Sequence, residues 1–111
     1  MSKEIRKNRV EFVRYLYSLP EPDRSKRTTT FDPLECECLC VKGHAMLKFG
    51  NKYPFYKKVL SALNMTKPQW EEMEARYEGY TFKGYHRNTT QFSFKQIASW
   101  LQTLPGWPRV L

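Results

Sequence analysis

No uninterrupted apolar run in these 111 residues approaches the roughly 20 that a membrane-spanning helix requires, so no membrane partner is expected. Cysteine is scarce: there are three, an odd number. The opening Met1-Ser2-Lys3-Glu4-Ile5-Arg6 places charges where an export signal would have its apolar centre. Together these argue against a disulfide framework and predict reduced thiols in a soluble, cytoplasmic protein. The sequons Asn64-Met65-Thr66 and Asn88-Thr89-Thr90 then carry no meaning. Carboxylates are missing from a whole region, since Gly79 to Leu111 contains Lys83, Arg87, Lys95 and Arg109 without one Asp or Glu. A Gly-rich phosphate loop, zinc-finger spacing, a nucleophile with an oriented base and paired carboxylates are also absent. The expectation is a non-enzymatic protein without a cofactor.

What is present is enough for one folded unit. A 41% hydrophobic and 15% aromatic content is too rich for disorder, and 111 residues suit a single domain spanning 1–111. The net charge of +8 favours polyanionic partners. It is unevenly placed. The first 30 residues hold eight Lys or Arg against four acids, whereas Glu71, Glu72, Glu74 and Glu78 gather in one segment.

Residues 3 to 18 read as an amphipathic helix with Ile5, Phe12, Leu16 and Leu19 near one face and Lys3, Arg6, Lys7, Arg9 and Arg14 around the rest. Leu19-Pro20 ends it. The following Pro20 to Thr30 reads as a loop with a cationic tip, where Arg24, Lys26 and Arg27 could clamp phosphate or simply be solvated. In Cys36-Glu37-Cys38-Leu39-Cys40 the thiols recur at every second position, the period of a strand. That spacing holds Cys36 and Cys40 roughly 13 Å apart at about 3.3 Å per residue, too far for one zinc ion, so buried thiols are preferred to a metal site. Lys42-Gly43 is expected to turn, and His44 to open a short helix in a structural role.

Asn51 to Leu63 reads as a further helix ended by Asn64. Thr66 with Gln69 forms a capping box for the next, whose Trp70, Met73 and Tyr77 make a core stripe beneath four exposed glutamates and which Gly79 stops. The pair also fits a helix-turn-helix, but four glutamates on the second helix would repel phosphates. Tyr80 to Tyr85 reads as extended. Ser93 and Gln96 box the last helix, with Ile97, Trp100, Leu101 and Leu104 as its apolar face. The tail Trp107 to Leu111 is left to dock on the domain or on another copy. The predicted fold is therefore a small α+β domain of about four helices with a short sheet made from the cysteine stretch and Tyr80 to Tyr85.

The best binding equipment lies in Tyr80, Phe82, Tyr85, His86, Arg87, Asn88 and Thr90, where rings alternate with cations and amide or hydroxyl groups. Such residues suit stacking on a base while holding ribose or phosphate, although the rings could equally belong to the core. Arg87 and Asn88, just before a capped helix, could present an anion to its N-terminal amides. The candidate ligand-binding residues are Arg24, Arg27, Tyr85, Arg87 and Asn88.

In its order of parts the chain resembles small phage and prophage proteins with a short opening helix, a Cys-Cys-Leu-Gly-Val segment, and Leu-Asn-Asp followed by Ser-Phe-x-x-Ile-Ala. The matching stretches are Arg9 to Ser18, Cys38-Leu39-Cys40-Val41, and Asn88 followed by Ser93-Phe94-Lys95-Gln96-Ile97-Ala98. Cys40 stands where that pattern has Gly, and Thr89 where it has Asp. Proteins of this kind include counter-defence factors that sequester nucleotide-derived immune signals or inhibit CRISPR effectors. The resemblance implies a nucleotide pocket lined by Asn88 and its neighbours and action in the host cytoplasm. The alternatives are an inhibitor of a host nucleoprotein complex acting through a basic surface, and a sequence-tolerant binder of nucleic acid. A homo-oligomer is compatible with each.

Overall fold

The computed structural model describes residues 2–21, 39–50, 56–79 and 90–110. Its elements are α1 (Lys3–Ser18), α2 (Val41–Phe49), α3 (Lys57–Leu63), α4 (Lys67–Glu78) and α5 (Phe94–Leu101). Among the described residues there are five helices and no strand, so they form an all-α arrangement, which corrects the expected α+β class. The error lies in how the cysteine stretch was read. Its described end, Leu39-Cys40, serves only to lead into a helix, with Cys40 as an extended N-cap. Beyond it Val41, Ala45 and the adjacent Met46 are all buried, and a strand with one buried face would send the neighbours Ala45 and Met46 to opposite sides. Lys42-Gly43 is consequently not a turn but part of the first helical turn. Cys36 to Cys38 and the other predicted strand, Tyr80 to Tyr85, lie outside the described residues.

The Thr66 and Ser93 capping boxes, the Asn64 and Gly79 terminators and the end of α1 at Leu19 act as expected, and Ser2 adds a cap that the sequence reading had not singled out. Ser2 caps α1 by accepting from the Ile5 amide, and Leu19 closes it with extended backbone. Thr66 and Ser93 both complete reciprocal capping boxes, with Gln69 and Gln96. Each box satisfies amides that a helix start leaves open, and each cap stabilises by about 1 kcal/mol. Asn64 and Gly79 end α3 and α4 in the left-handed region, at φ 48° and 81°. The helix expected over Asn51 to Leu63 starts later, at Lys57, with Tyr56 as its N-cap, and residues 51–55 lie outside the described residues.

The main helix packings close a circuit: α1 on α5, α5 on α4, α4 on α2, α2 on α3, and α3 back on α1. At its centre sit Phe12, Val13, Leu16, Val41, Ala45, Val59, Leu63, Met73, Ile97, Ala98 and Leu101, all without exposed surface. Tyr77 and Phe94 stack at 5.4 Å across the α4/α5 contact. On α4, Trp70, Met73 and Tyr77 form the expected buried stripe.

The glutamates above that stripe are not all exposed. Glu78 is buried, while Glu72 and Glu74 are half-buried and paired with Arg76 and Lys42, at 2.9 and 3.0 Å. On α5, Phe94 and Ala98 join Ile97 and Leu101 in the core, whereas Trp100 and Leu104 lie half-buried at its margin.

A larger departure concerns Arg9, placed with the solvated cations of α1 but only 4% exposed. Helix α3 ends without a basic residue in its last turn, leaving carbonyls and the negative end of its dipole uncompensated. Arg9 supplies both remedies from α1. Its Nε donates to Leu63 O at 2.7 Å and its Nη2 to Asn64 O at 3.0 Å. Asn8 adds a bond from Nδ2 to Ala62 O at 2.9 Å. The guanidinium also lies 4.7 Å from the centre of the Trp107 ring, so the tail docks on its own domain. Gln102 secures it further, its Oε1 accepting from the Val110 amide at 2.6 Å.

Candidate functional site

The residues singled out in the sequence for ligand binding, Arg24, Arg27, Tyr85, Arg87 and Asn88, all lie outside the described residues. The described chain flanking them is informative. Glu21, just before one such segment, reaches the start of α5, where its carboxylate accepts from the Phe94 amide at 3.0 Å. The anion position that Arg87 and Asn88 were expected to serve thus already holds one of the protein's own carboxylates. After the other segment, Gln91 donates to Glu78 O at 3.2 Å and the Phe92 amide to Arg76 O at 2.9 Å. The chain therefore re-enters against the turn of α4 that it left.

That return places Phe92 beside Arg76 and builds a cleft between α4 and α5. The cleft has a volume of about 400 Å³ and is lined by Arg76, Phe92, Lys95, Gln96, Ser99, Trp100 and Thr103. Two rings dominate it. The Arg76 guanidinium lies 5.4 Å from the Phe92 ring centre and 5.2 Å from that of Trp100, close enough for cation–π attraction to both. Glu72, one turn earlier on α4, holds Arg76 by its Nε at 2.9 Å. Arg76 is thereby a fixed spacer between rings more than a free charge. Lys95, exposed on the first turn of α5, supplies a cation, and the Ser99 and Thr103 hydroxyls continue the wall. Among the described residues no carboxylate lines this cleft. Chemically it offers flat apolar faces beside a positive charge, the equipment for stacking on an aromatic ring attached to an anion.

Sequence reading missed this site by assigning Trp100 to the apolar face of the last helix. The signals were there: Glu72 and Arg76 stand at i, i+4, and Trp100 falls about a third of a turn from the centre of the Phe94-Ile97-Ala98-Leu101 stripe.

A second cleft, of about 320 Å³, lies on α1 and is lined by Arg14, Tyr17, Ser18 and Val110. The two meet. The Tyr17 hydroxyl is 2.9 Å from that of Ser99 and accepts from Gln102 Nε2 at 3.1 Å.

The thiol and imidazole near the start of α2 are built differently. Burial pushes the Cys40 thiol above its ordinary value, an effect that the nearby Gly43 and Lys42 amides offset and the Glu78 and Glu74 carboxylates reinforce. The environment thus works against a thiolate. His44 faces elsewhere: its Nδ1 is 2.9 Å from the Tyr15 hydroxyl, and its ring meets Phe94 edge-on at 5.1 Å. With its proton on Nε2, the neutral ring accepts the Tyr15 O–H. Among the described residues no three metal-ligating side chains cluster.

Burial lowers the His44 pKa from the usual 6.5. The unfolded chain therefore takes up a proton at a pH where the folded ring stays neutral. His44 favours the folded state fully above about pH 6.5, and this contribution is lost as pH falls through the lower folded value. The melting temperature is expected to drop between about pH 7 and 5, more steeply for the native chain than for His44→Phe. Parallel curves for the two proteins would assign the drop to other groups.

No known protein-family model, curated protein or solved structure matches the chain at a significant level.

Proposed function

We propose that this domain is a non-enzymatic binder of a nucleotide-containing anion, seated in the α4/α5 cleft. One observation carries this reading: Trp100 and Phe92, held on either side of Arg76, stand half-exposed beside Lys95 in a cleft with no carboxylate among its described lining residues. Rings of this kind recognise the face of a base without regard to its edge, and the lysine favours an attached phosphate. The net charge of +8 draws such ligands from a distance. The cleft volume of about 400 Å³ falls toward the small end of the range for ligand sites, roughly 300–1,000 Å³. In keeping with the phage-type resemblance, the biological role would be counter-defence by sequestering a nucleotide signal.

A second reading, inhibition of a host nucleoprotein effector by competition with its nucleic acid, is favoured by the exposed cations Lys3, Arg6, Lys7 and Arg14 along α1.

Tryptophan fluorescence tests the site directly. Of the three tryptophans, Trp70 and Trp107 are 2% and 6% exposed, so quenching by a ligand reports on half-exposed Trp100. The expected result in a screen of mononucleotides, cyclic nucleotides, ADP-ribose and short oligonucleotides is saturable quenching with a matching rise in melting temperature. Quenching and thermal shift absent for every member of that set would sink the proposal.

A further inference from the structure

The α4/α5 cleft does not end at α5. Ser99, on its wall, shares a hydrogen bond of 2.9 Å with Tyr17, which lines the cleft on α1. The two depressions are thus separated only by a bridge of paired hydroxyls. Among the described residues neither is lined by a carboxylate, and each has one exposed cation, Lys95 in the first and Arg14 in the second. Arg76 is tied through its Nε to Glu72 and sits between two rings, so the exposed cations carry the argument.

From this juxtaposition we infer that the ligand is a single-stranded oligonucleotide crossing the Tyr17–Ser99 bridge, with a base stacked in the first cleft and a following phosphate at Arg14. The inference rests on the nucleotide-binding reading above and names its ligand class. Volumes of about 400 and 320 Å³ sit near the lower bound for ligand sites, so each cleft accommodates one nucleotide-sized group and the pair accommodates a short strand. A mononucleotide reaches one cation and one cleft. A strand gains both, while the bridge contributes hydroxyls that suit sugar and phosphate oxygens and carry no base preference.

The experiment is a length series. Labelled oligothymidylates of two, four and eight nucleotides are titrated by anisotropy at several salt concentrations, with Trp100 quenching followed in parallel. Affinity is expected to rise at least tenfold from two to four nucleotides. For two phosphate contacts on a single strand, log affinity should fall with log salt at a slope of about −1.4. Arg14→Glu and Arg14→Gln should each reduce the slope for the four-nucleotide strand to about −0.7 and bring its affinity down to that of the dinucleotide. Arg14 is exposed, so neither change threatens the fold. Equal affinity for two and four nucleotides, or unchanged binding by both Arg14 variants, overturns the inference while persistent Trp100 quenching leaves the first-cleft reading standing. Failure of every length to bind or quench overturns both.

Discussion

Replacing Arg9 by alanine is expected to destabilise the domain by about 3 kcal/mol, more than any exposed cation of α1 contributes. Its guanidinium bonds to Leu63 O and Asn64 O at the end of α3, a helix that carries no basic residue in its last turn. Hydrogen bonds involving a charged donor are each worth about 1.5–3 kcal/mol, and their removal leaves helix-end carbonyls facing a cavity. The loss extends to the tail, because Trp107 packs on the same guanidinium at 4.7 Å. Trp107 Nε1 is buried without a hydrogen-bond partner among the described residues, so the indole is held by its packing and by Arg9. Urea denaturation should show the deficit. Arg9→Lys should recover only part of it, since a single ammonium cannot reproduce the forked contact to two carbonyls. A cycle with Trp107→Ala should show coupling between the two sites. A loss below about 1 kcal/mol for Arg9→Ala would mean that α3 is capped by other means.

Trp100→Ala is expected to weaken ligand binding about ten- to hundredfold, the consequence of losing one stacked base at about 1–3 kcal/mol. The change also removes one of the two rings that position Arg76, leaving Phe92 on the other side. Trp100→Phe keeps a flat face and should retain most of the affinity while abolishing the fluorescence response. This pair of variants separates a stacking role from a merely structural one: both shorten the side chain, but only alanine removes the ring. The decisive measurement is anisotropy with a labelled short strand, checked against the melting temperature of each variant. Binding by Trp100→Ala at native strength would place the ligand outside the cleft.

The basis of these two predictions differed in how far it could be read from the chain. Capping boxes at Thr66 and Ser93, terminators at Asn64 and Gly79, and the Trp70-Met73-Tyr77 stripe were legible because they are local. Each depends on residues within about two turns of one helix, where backbone geometry alone decides which groups meet. The alternation of the cysteine stretch suggested a strand reaching Val41, whereas Val41 opens the helix Val41–Phe49, which takes its burial from α3 and α4. Local period cannot anticipate such a neighbour.

By itself, then, the sequence determined the ends of helices, the main apolar stripes and a net charge of +8, all consequences of short-range geometry and summed charge. Only the tertiary structure decided that Arg9 leaves the basic face to close another helix, since Leu63 and Asn64 are more than fifty residues away along the chain. It likewise decided that Trp100 opens onto a cleft and that Ser99 meets Tyr17 across 82 residues. Desolvated charges and shared hydroxyls are settled by which surfaces come together, and that follows from how the five helices among the described residues close into one ring around their core.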